Sequence, residues 1–482
     1  MGILQLIHKP KIIKINNIIN GKEVASSDGS IFSIKSPFEE YKEKYEIVLP
    51  NSTVTDVETA IRSAADSFKV CQSIPLYKRM ELLNKTSDKF LIGRKLLEFM
   101  SVLDGMPISL QEYKVEETRK LLKRIAYTAH KQLNKLYKGD DERLSKRVAG
   151  IFIPPNEPRE WAFFVGSLVM AGIPAVIKPS SRNPIIGIKL LRTLFDNGYP
   201  SNALNIINFD TETRPELGHH LMSNVDIRLL MGSISSAESL VQNNNRKLTQ
   251  VYGADNSRVI IDEYANISLA LECIKEGSHW PHSCLSPKNI YVVGKKNYDV
   301  IIPDLINFYS KLHNSRGNIL SRKTKLGLIQ KKNLSGFADI LEHSYIHSEV
   351  ELHYPKEWAE FNSDMGKPVL VRAYYNPDHP LMTSPLPVYF VAVHLVSSLD
   401  EAIEHANRST DHFKNADKSM AISIYSNRVG LSIRKNTIIM PDGNRKIIKA
   451  YDVHLNNHTT DVKGAIHQGV DLIGLLRSPI NN

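Results

Sequence analysis

Cys284 is the residue whose setting most suggests chemistry. It lies in HWPHSCLSPK, a polar connection between a helical stretch and a strand-like one. A thiol becomes a nucleophile where a neighbour lowers its pKa, and His279 and His282 are close in sequence. Cys71 and Cys273 are the other cysteines, and three cannot make a disulfide framework or a cysteine-based zinc site. A lone Cys is more often a small buried hydrophobe, and a His in a polar loop is more often just exposed. Asn156, Lys178 and Gly232-Ser233 each closely follow an apolar strand-like run. Their duller readings are a turn residue, a surface charge and a helix cap. His343, His347 and His353 cluster in EHSYIHSEVELH, but the spacing fits no zinc template and a solvated face is the better reading.

The elements that must position these residues show in the apolar periodicity. IIKINNIINGKEV alternates enough for a strand pair turning at Asn20-Gly21, a dipeptide that favours tight hairpins. Val54, Val57, Ile61, Ala64, Ala65 and Phe68 fall at helical spacing, and 81–103 and 112–137 also read as helices. From Arg147 the rhythm changes. VAGIFIPP, PAVIKPS, ALNIINF and IRLLMGS are short apolar strands separated by helical stretches, among them about 161–171 and 184–196. A second alternating series follows, with SRVIID, NIYVVG, PVLVRAYY and PVYFVAVHLV as strands. Strands alternating with helices predict an α/β protein with parallel, doubly wound sheets. Ligands bind beyond the carboxyl ends of such strands, which places Asn156, Lys178 and Gly232-Ser233 at one crevice.

Length and composition set the class. At 482 residues two or three domains are expected, and 42% hydrophobic with 23% charged residues is ordinary globular composition. The three cysteines point to a reducing, cytoplasmic setting. The first residues, MGILQLIHKPKIIK, do not read as a signal peptide, and Leu6 stands where a myristoylation signal wants Ser or Thr. No run approaches the length of a membrane span. The net charge of +10 favours anionic partners. The basic residues are spread along the chain, however, and no nucleic-acid-binding signature appears, so neither nucleic acid nor membrane is expected as a partner.

Several stretches, taken in order, resemble the aldehyde dehydrogenase superfamily across roughly residues 15–430. GIFIPPNEPREWAFFVGSLVMAGIPAVIKPS is similar to the family's Pro-x-Asn-x-Pro loop, helix and Val-x-Lys-Pro-Ser strand end. NALNIINF, VDIRLLMGS, GADNSRVIID, Cys284 with NIYVV, and LDEAIEHANRS follow in the family's order. The resemblance implies two doubly wound α/β domains plus a β-arm for oligomerisation. A dinucleotide-binding domain would span 1–135 and 150–250, a catalytic domain 251–445, and the arm 136–149 and 450–482. It implies a homodimer or homotetramer acting on a small-molecule aldehyde with NAD or NADP. Cys284 would be the nucleophile forming a thiohemiacetal and then a thioester, and Asn156 the oxyanion donor. Lys178 would bond the adenosine ribose, and Gly232 and Ser233 would lie at the pyrophosphate; Pro155 and Ser181 complete the expected cofactor contacts.

The departures from the family are informative. The Glu that activates the deacylating water aligns with Val251, and the Glu that binds the nicotinamide ribose aligns with Thr383. Ser181 stands where a carboxylate often holds the adenosine ribose, which makes NADP as acceptable as NAD. Ala237 replaces a glycine, Lys288 replaces the usual Arg after the cysteine, and the glycine-rich C-terminal segment is not recognisable in 440–482. GADN at 253–256 resembles the Gly-Ala-x-Asn segment of methylmalonate-semialdehyde dehydrogenases and the Gly-x-Gly-Asn segment of CoA-acylating members, which lack that Glu. An aldehyde dehydrogenase passing its acyl group to CoA is therefore the expected activity. The alternative is a catalytically silent relative serving as a binding or assembly subunit.

Overall fold

The computed structural model describes residues 10–136, 145–155, 157–232, 239–240, 247–252, 257–283, 285–364, 366–374, 379–384, 386–411, 419–434, 436–457, 466–467 and 470–477. The chain divides into two compact units. One comprises Met1–Tyr252, Lys463–His467 and Asp471–Asn482; the other comprises Gly253–Val462 and Gln468–Val470.

The first unit begins with short strands β1 (Lys11–Lys14), β2 (Asn17–Ile19), β3 (Lys22–Val24), β4 (Ile31–Lys35) and β5 (Tyr45–Pro50), with the one-turn helix α1 (Glu39–Lys42) between the last two. β2 and β3 pair antiparallel across Asn20 and Gly21, both at positive φ. At Gly21 (φ +71°) a Cβ would run into the Ser201 side chain, so backbone angle and space both favour glycine. α2 (Val54–Ser73) starts at a capping box, in which Thr53 accepts from the Asp56 amide and Asp56 accepts from the Thr53 amide. The stretch expected as one helix over 81–103 is two, α3 (Leu76–Lys89) and α4 (Arg94–Asp104), because Phe90 turns inward and Gly93 begins the second. The charged helix α5 runs Ile108–Leu136.

The parallel sheet follows, built from β6 (Ala149–Ile153), α6 (Arg159–Ala171), β7 (Ala175–Pro179), α7 (Ile185–Asp196), β8 (Leu204–Ile206), α8 (Glu216–Ser223), β9 (Ile227–Met231) and β10 (Leu248–Tyr252). The strand order is β10-β9-β6-β7-β8-β2-β3, parallel from β10 to β8 and antiparallel at β2 and β3. α2 and α8 pack with Val176, Val225 and Leu230 on one face. α5, α6 and α7 stack together, with α6 buried along nearly its whole length. A strand buried on both faces needs a continuous apolar run, which is what AVIKP and IRLLM supply around one charged residue each.

The second unit has its own seven-stranded sheet from β11 (Ser257–Ile261), β12 (Pro287–Val293), β13 (Val350–Tyr354), β14 (Val369–Ala373), β15 (Phe390–Val396), β16 (Ser419–Tyr425) and the strand Ala450–Leu455. The order is β13-β14-β15-β12-β11-β16 and then Ala450–Leu455, with β13 antiparallel and the rest parallel. One face packs on Leu399–Asp411 and Lys331–Ile346, the other on Ile267–Ser278 and Lys295–Asn314. Both units are thus parallel sheets with helices on both faces, as the alternating pattern implied. Of the stretches read as an oligomerisation arm, 137–144, 458–465, 468–469 and 478–482 lie outside the described residues. Ala450–Leu455 is the edge strand beside β16, and the short helix Leu472–Leu476 packs on α6. Among the described residues no helix is long and apolar enough to cross a membrane.

Candidate functional site

In the first unit the carboxyl ends of the parallel strands carry the expected binding residues. Lys178 is the penultimate residue of β7 and registers with Phe152 of β6. It is 6% exposed, and its ammonium has no hydrogen-bond partner among the described residues. The Nζ lies 5.3 Å from the centroid of the Phe209 ring, a cation–π contact just beyond β8. Burial pulls the Lys178 pKa down to about 8, with the Asp210 carboxylate drawing it back only in part. A buried ammonium without a donor–acceptor partner is costly, so this geometry suits a ligand oxygen arriving at Nζ.

The turn after Lys178 is fixed independently of any ligand. The Ser180 amide donates to Ile153 O (2.8 Å), and the Asn183 amide donates to Ser180 O (3.2 Å). Ser181 sits half-buried at its apex. Asn183 Nδ2 and Gln111 Nε2 both donate to Asp104 Oδ2, at 2.6 and 3.2 Å. Burial pushes the Asp104 carboxyl up to about 8. Gly232, after β9, donates its amide to Tyr252 O (3.1 Å) and has no described atom within 4 Å of where a Cβ would stand. The backbone there is open to close approach by a ligand. Ser233 and Asn156 lie outside the described residues. Pro155, before Asn156, is half-buried.

Glu157, immediately after Asn156, is a residue that sequence reasoning missed. Its buried carboxylate accepts Lys114 Nζ at 2.8 Å and Arg159 Nε and Nη2 at 2.9 and 3.1 Å. Burial would raise this carboxyl, but Arg159 and Lys114 outweigh it and hold it down to about 2. The pair anchors the chain just after the candidate oxyanion residue. The available signal was three charges, Glu157, Arg159 and Glu160, at the entrance to an otherwise apolar helix. Val251, in β10, is half-buried and packs against the core formed by α2, α8 and the sheet. Its side chain cannot transfer a proton.

In the second unit Cys284 itself lies outside the described residues, but its flanks are fixed. The Ser286 amide donates to Ser283 O (3.0 Å), and the Ser283 amide donates to Trp280 O (3.2 Å). His279 caps the helix Ile267–Ser278 and meets the Phe308 ring edge-on at 5.4 Å. His282 lies against Trp280 at 4.7 Å. Lys288, near the start of β12, is buried and donates to Val388 O at 2.7 Å; burial lowers its pKa to about 7. Thr383 ends the short helix Pro380–Thr383, where its hydroxyl donates to His379 O. His343 stacks on His347, whereas His353 pairs with the Tyr298 hydroxyl at 2.8 Å. Among the described residues no group of three or more His, Cys, Asp or Glu gathers as a metal site would require. Cys71 and Cys273 are buried, and burial raises both thiols.

Comparison with known proteins bears on the whole arrangement. The sequence profile of the aldehyde dehydrogenase family matches residues 24–412. An aldehyde dehydrogenase of Aspergillus niger is 24% identical over 302 residues, 60% of this chain and 60% of its own length. A D-glyceraldehyde dehydrogenase (NADP(+)) of Picrophilus torridus is 24% identical over 394 residues, 75% of each chain. The chain therefore spans less than two thirds of the first of these relatives and three quarters of the second. Among solved structures, an NAD-dependent aldehyde dehydrogenase from Sinorhizobium meliloti superposes with a TM-score of 0.75 at 19% identity, covering 94% of this chain and 88% of that one. An NADP-dependent glyceraldehyde-3-phosphate dehydrogenase from Bacillus halodurans gives 0.71 at 16% identity, covering 92% and 91%. These likenesses establish the fold, the low identities mark divergence, and the profile match over most of the chain settles membership: this protein belongs to the aldehyde dehydrogenase family.

Proposed function

We propose that the protein oxidises an aldehyde with NAD or NADP through a covalent intermediate on Cys284 and passes the acyl group to CoA. The observation that carries the cofactor part is the buried Lys178 ammonium, without a hydrogen-bond partner among the described residues at the end of β7, in the same sheet whose β9 ends at the open backbone of Gly232. A ribose hydroxyl fits that ammonium, and a pyrophosphate fits Gly232 and Ser233. Ser181 brings no charge against a 2′-phosphate, so both NAD and NADP suit the turn. When bound, the nicotinamide supplies an acceptor for hydride.

The chain's own residues account for the remaining steps. The Cys284 thiolate adds to the aldehyde carbon, forming a C–S bond and moving the carbonyl electron pair onto oxygen. Asn156 and the Cys284 amide hold that oxyanion, a contribution of a few kcal/mol in comparable sites. Loss of hydride converts the thiohemiacetal into a thioester. Val251 offers no base for water, so attack by a CoA thiolate, which needs less base assistance, releases the acyl group and regenerates the Cys284 thiolate. The basic chain suits a phosphate-rich acceptor. A cytoplasmic homodimer or homotetramer is part of the same proposal, and size-exclusion chromatography with light scattering tests the assembly.

The decisive experiment follows NADH and NADPH formation over an aldehyde panel, with and without CoA, for wild type and Cys284→Ala. CoA-dependent turnover abolished by the substitution is expected. Free acid formed without CoA at comparable rates overturns acyl transfer. No turnover, together with no cofactor binding, identifies a silent assembly subunit instead.

A further inference from the structure

Between Asp304 and Asp339 the chain holds seven Lys or Arg residues and no Asp or Glu, against a net charge of +10 for all 482 residues. Other Lys-rich stretches carry their own carboxylates. Glu81 meets both Lys78 and Lys85, Glu117 meets Lys120, and Asp299 meets Lys295, at 2.6 to 3.0 Å. A surface that serves only solubility intersperses the two signs in this way. Like charges crowded together repel one another, and an oppositely charged partner relieves that repulsion.

The fold gathers this basic stretch in one place. It comprises the end of the helix Lys295–Asn314, the connection 315–330 and the start of the helix Lys331–Ile346. The connection closes on itself where the Lys325 amide donates to Ser315 O (3.3 Å). Within it the Ser321 amide donates to Asn318 O (2.9 Å), and the Thr324 amide and hydroxyl donate to Ser321 O (3.1 Å) and Asn318 O (2.8 Å). Ile319, Thr324 and Leu326 are buried, whereas Arg316, Arg322, Lys323 and Lys325 are exposed. Lys311, Lys331 and Lys332 are exposed at the adjoining helix ends. Asp364 reaches Arg316 from outside the stretch. Lys311, Lys323, Lys331 and Lys332 have no carboxylate within ion-pair distance among the described residues.

We propose that this stretch is a docking surface for the phosphate backbone of a single-stranded nucleic acid, a role separate from aldehyde oxidation. The chemistry of the surface selects that occupant. Between Val300 and Tyr345 no large apolar side chain is exposed. A protein partner needs apolar contacts at the centre of its interface, and stable membrane anchoring adds an apolar insertion to a basic patch. Exposed Lys and Arg without apolar or aromatic neighbours offer charge, which is how phosphates are held irrespective of base. Shape points the same way. The two helices lie on opposite faces of the sheet, and Ile329 packs against the cores of both. The cations therefore follow the chain from one face to the other, a path that a flexible strand can track and a flat membrane cannot. The spread of basic residues over the whole chain, which spoke against nucleic acid, does not describe this stretch.

The test is fluorescence anisotropy of a labelled oligouridylate of about 20 nucleotides with the full-length protein, where a Kd of about 10⁻⁶–10⁻⁴ M is expected. Affinity should fall at least about tenfold between roughly 50 and 200 mM salt, because each phosphate contact releases counterions. Oligoadenylate should bind within about threefold of oligouridylate, since no base is read. Combining Lys323→Glu, Lys331→Glu and Lys332→Glu should weaken binding at least about tenfold and flatten the salt dependence. Combining Lys22→Glu, Lys89→Glu and Lys296→Glu changes the net charge equally elsewhere and should stay within about threefold. If circular dichroism shows that the first combination does not fold, the same three positions changed to Ala should still weaken binding by about fivefold. Equal losses at the two sets of positions would mean that overall charge binds, and would overturn the proposal. Absence of binding at about 50 mM salt would do the same. Tighter binding to polyglutamate or to phosphatidylserine vesicles than to the oligonucleotide would also overturn it, in favour of an acidic protein or a membrane.

Discussion

Lys178 in the first unit and Lys288 in the second are both enclosed lysines at the margins of parallel strands, and desolvation brings both towards neutrality, to about 8 and about 7. Their ammonium groups are employed differently. Lys288 spends its donor on the Val388 carbonyl and so ties β12 to the segment entering β15. Lys178 has an aromatic face beneath it and no hydrogen-bond partner among the described residues. Burial alone therefore does not mark a binding residue, because the same burial serves an internal tie. The discriminating feature is whether the buried donor is satisfied within the fold.

The strongest way to break this contrast is to remove each ammonium. Lys178→Met should weaken NAD(P) binding by roughly 10–100-fold, the worth of a charged hydrogen bond, whereas Lys288→Met should leave it within about twofold. Fluorescence titration of both variants checks this, and equal losses would erase the distinction. A smaller effect sharpens the cofactor side. Ser181→Glu, which puts a carboxylate on the turn after Lys178, should disfavour NADP relative to NAD by about tenfold through repulsion of a 2′-phosphate. An unchanged NADP-to-NAD ratio would mean that the turn does not face the ribose.

The pH dependence separates the two lysines again. Lys178 loses its proton above about pH 8, so the cofactor Kd of wild type should rise a few-fold between pH 7.5 and 9.5, while that of Lys178→Met stays flat. Isothermal titration across that range reads the difference. Lys288 should appear in stability instead. Its folded pKa lies below its unfolded value, so the unfolded chain binds more protons between about pH 7 and 10.5 and wild-type stability gains from rising pH. The slope from this group is at most about 1.4 kcal/mol per pH unit. Urea unfolding of Lys288→Met should show that slope removed, together with higher stability at pH 7 once the cost of burying a charge is gone.

Much of the fold was legible because buried parallel strands leave continuous apolar runs, as VAGIFI, PAVIKP and NIYVV do, and capped amphipathic helices leave a 3.6-residue rhythm, as in Val54–Ser73. The break between α3 and α4 was not legible, since Phe90 and Gly93 interrupt a pattern that stays amphipathic on either side. The candidate residues Lys178 and Gly232 were found from their place after strands. Glu157, Lys114 and Glu160 were not, because Lys114 is 43 residues from its partner and its charge reads as one more solvated position on a charged helix.

What the sequence determined by itself was the set of groups: a thiol at 284, an amide at 156, an ammonium at 178, and a valine and a threonine where carboxylates usually stand. Residue type fixes which protons and electron pairs exist, and that needs no coordinates. Tertiary structure alone decided which charges neutralise each other. It consumes Glu157 with Lys114 and Arg159, gives Lys288 to a carbonyl, sets the Lys178 ammonium over the Phe209 ring, and leaves Glu160 Oε2 enclosed without a hydrogen-bond partner among the described residues. Pairing depends on distances between residues remote in sequence, and desolvation depends on everything packed around a group, so neither can be read along the chain.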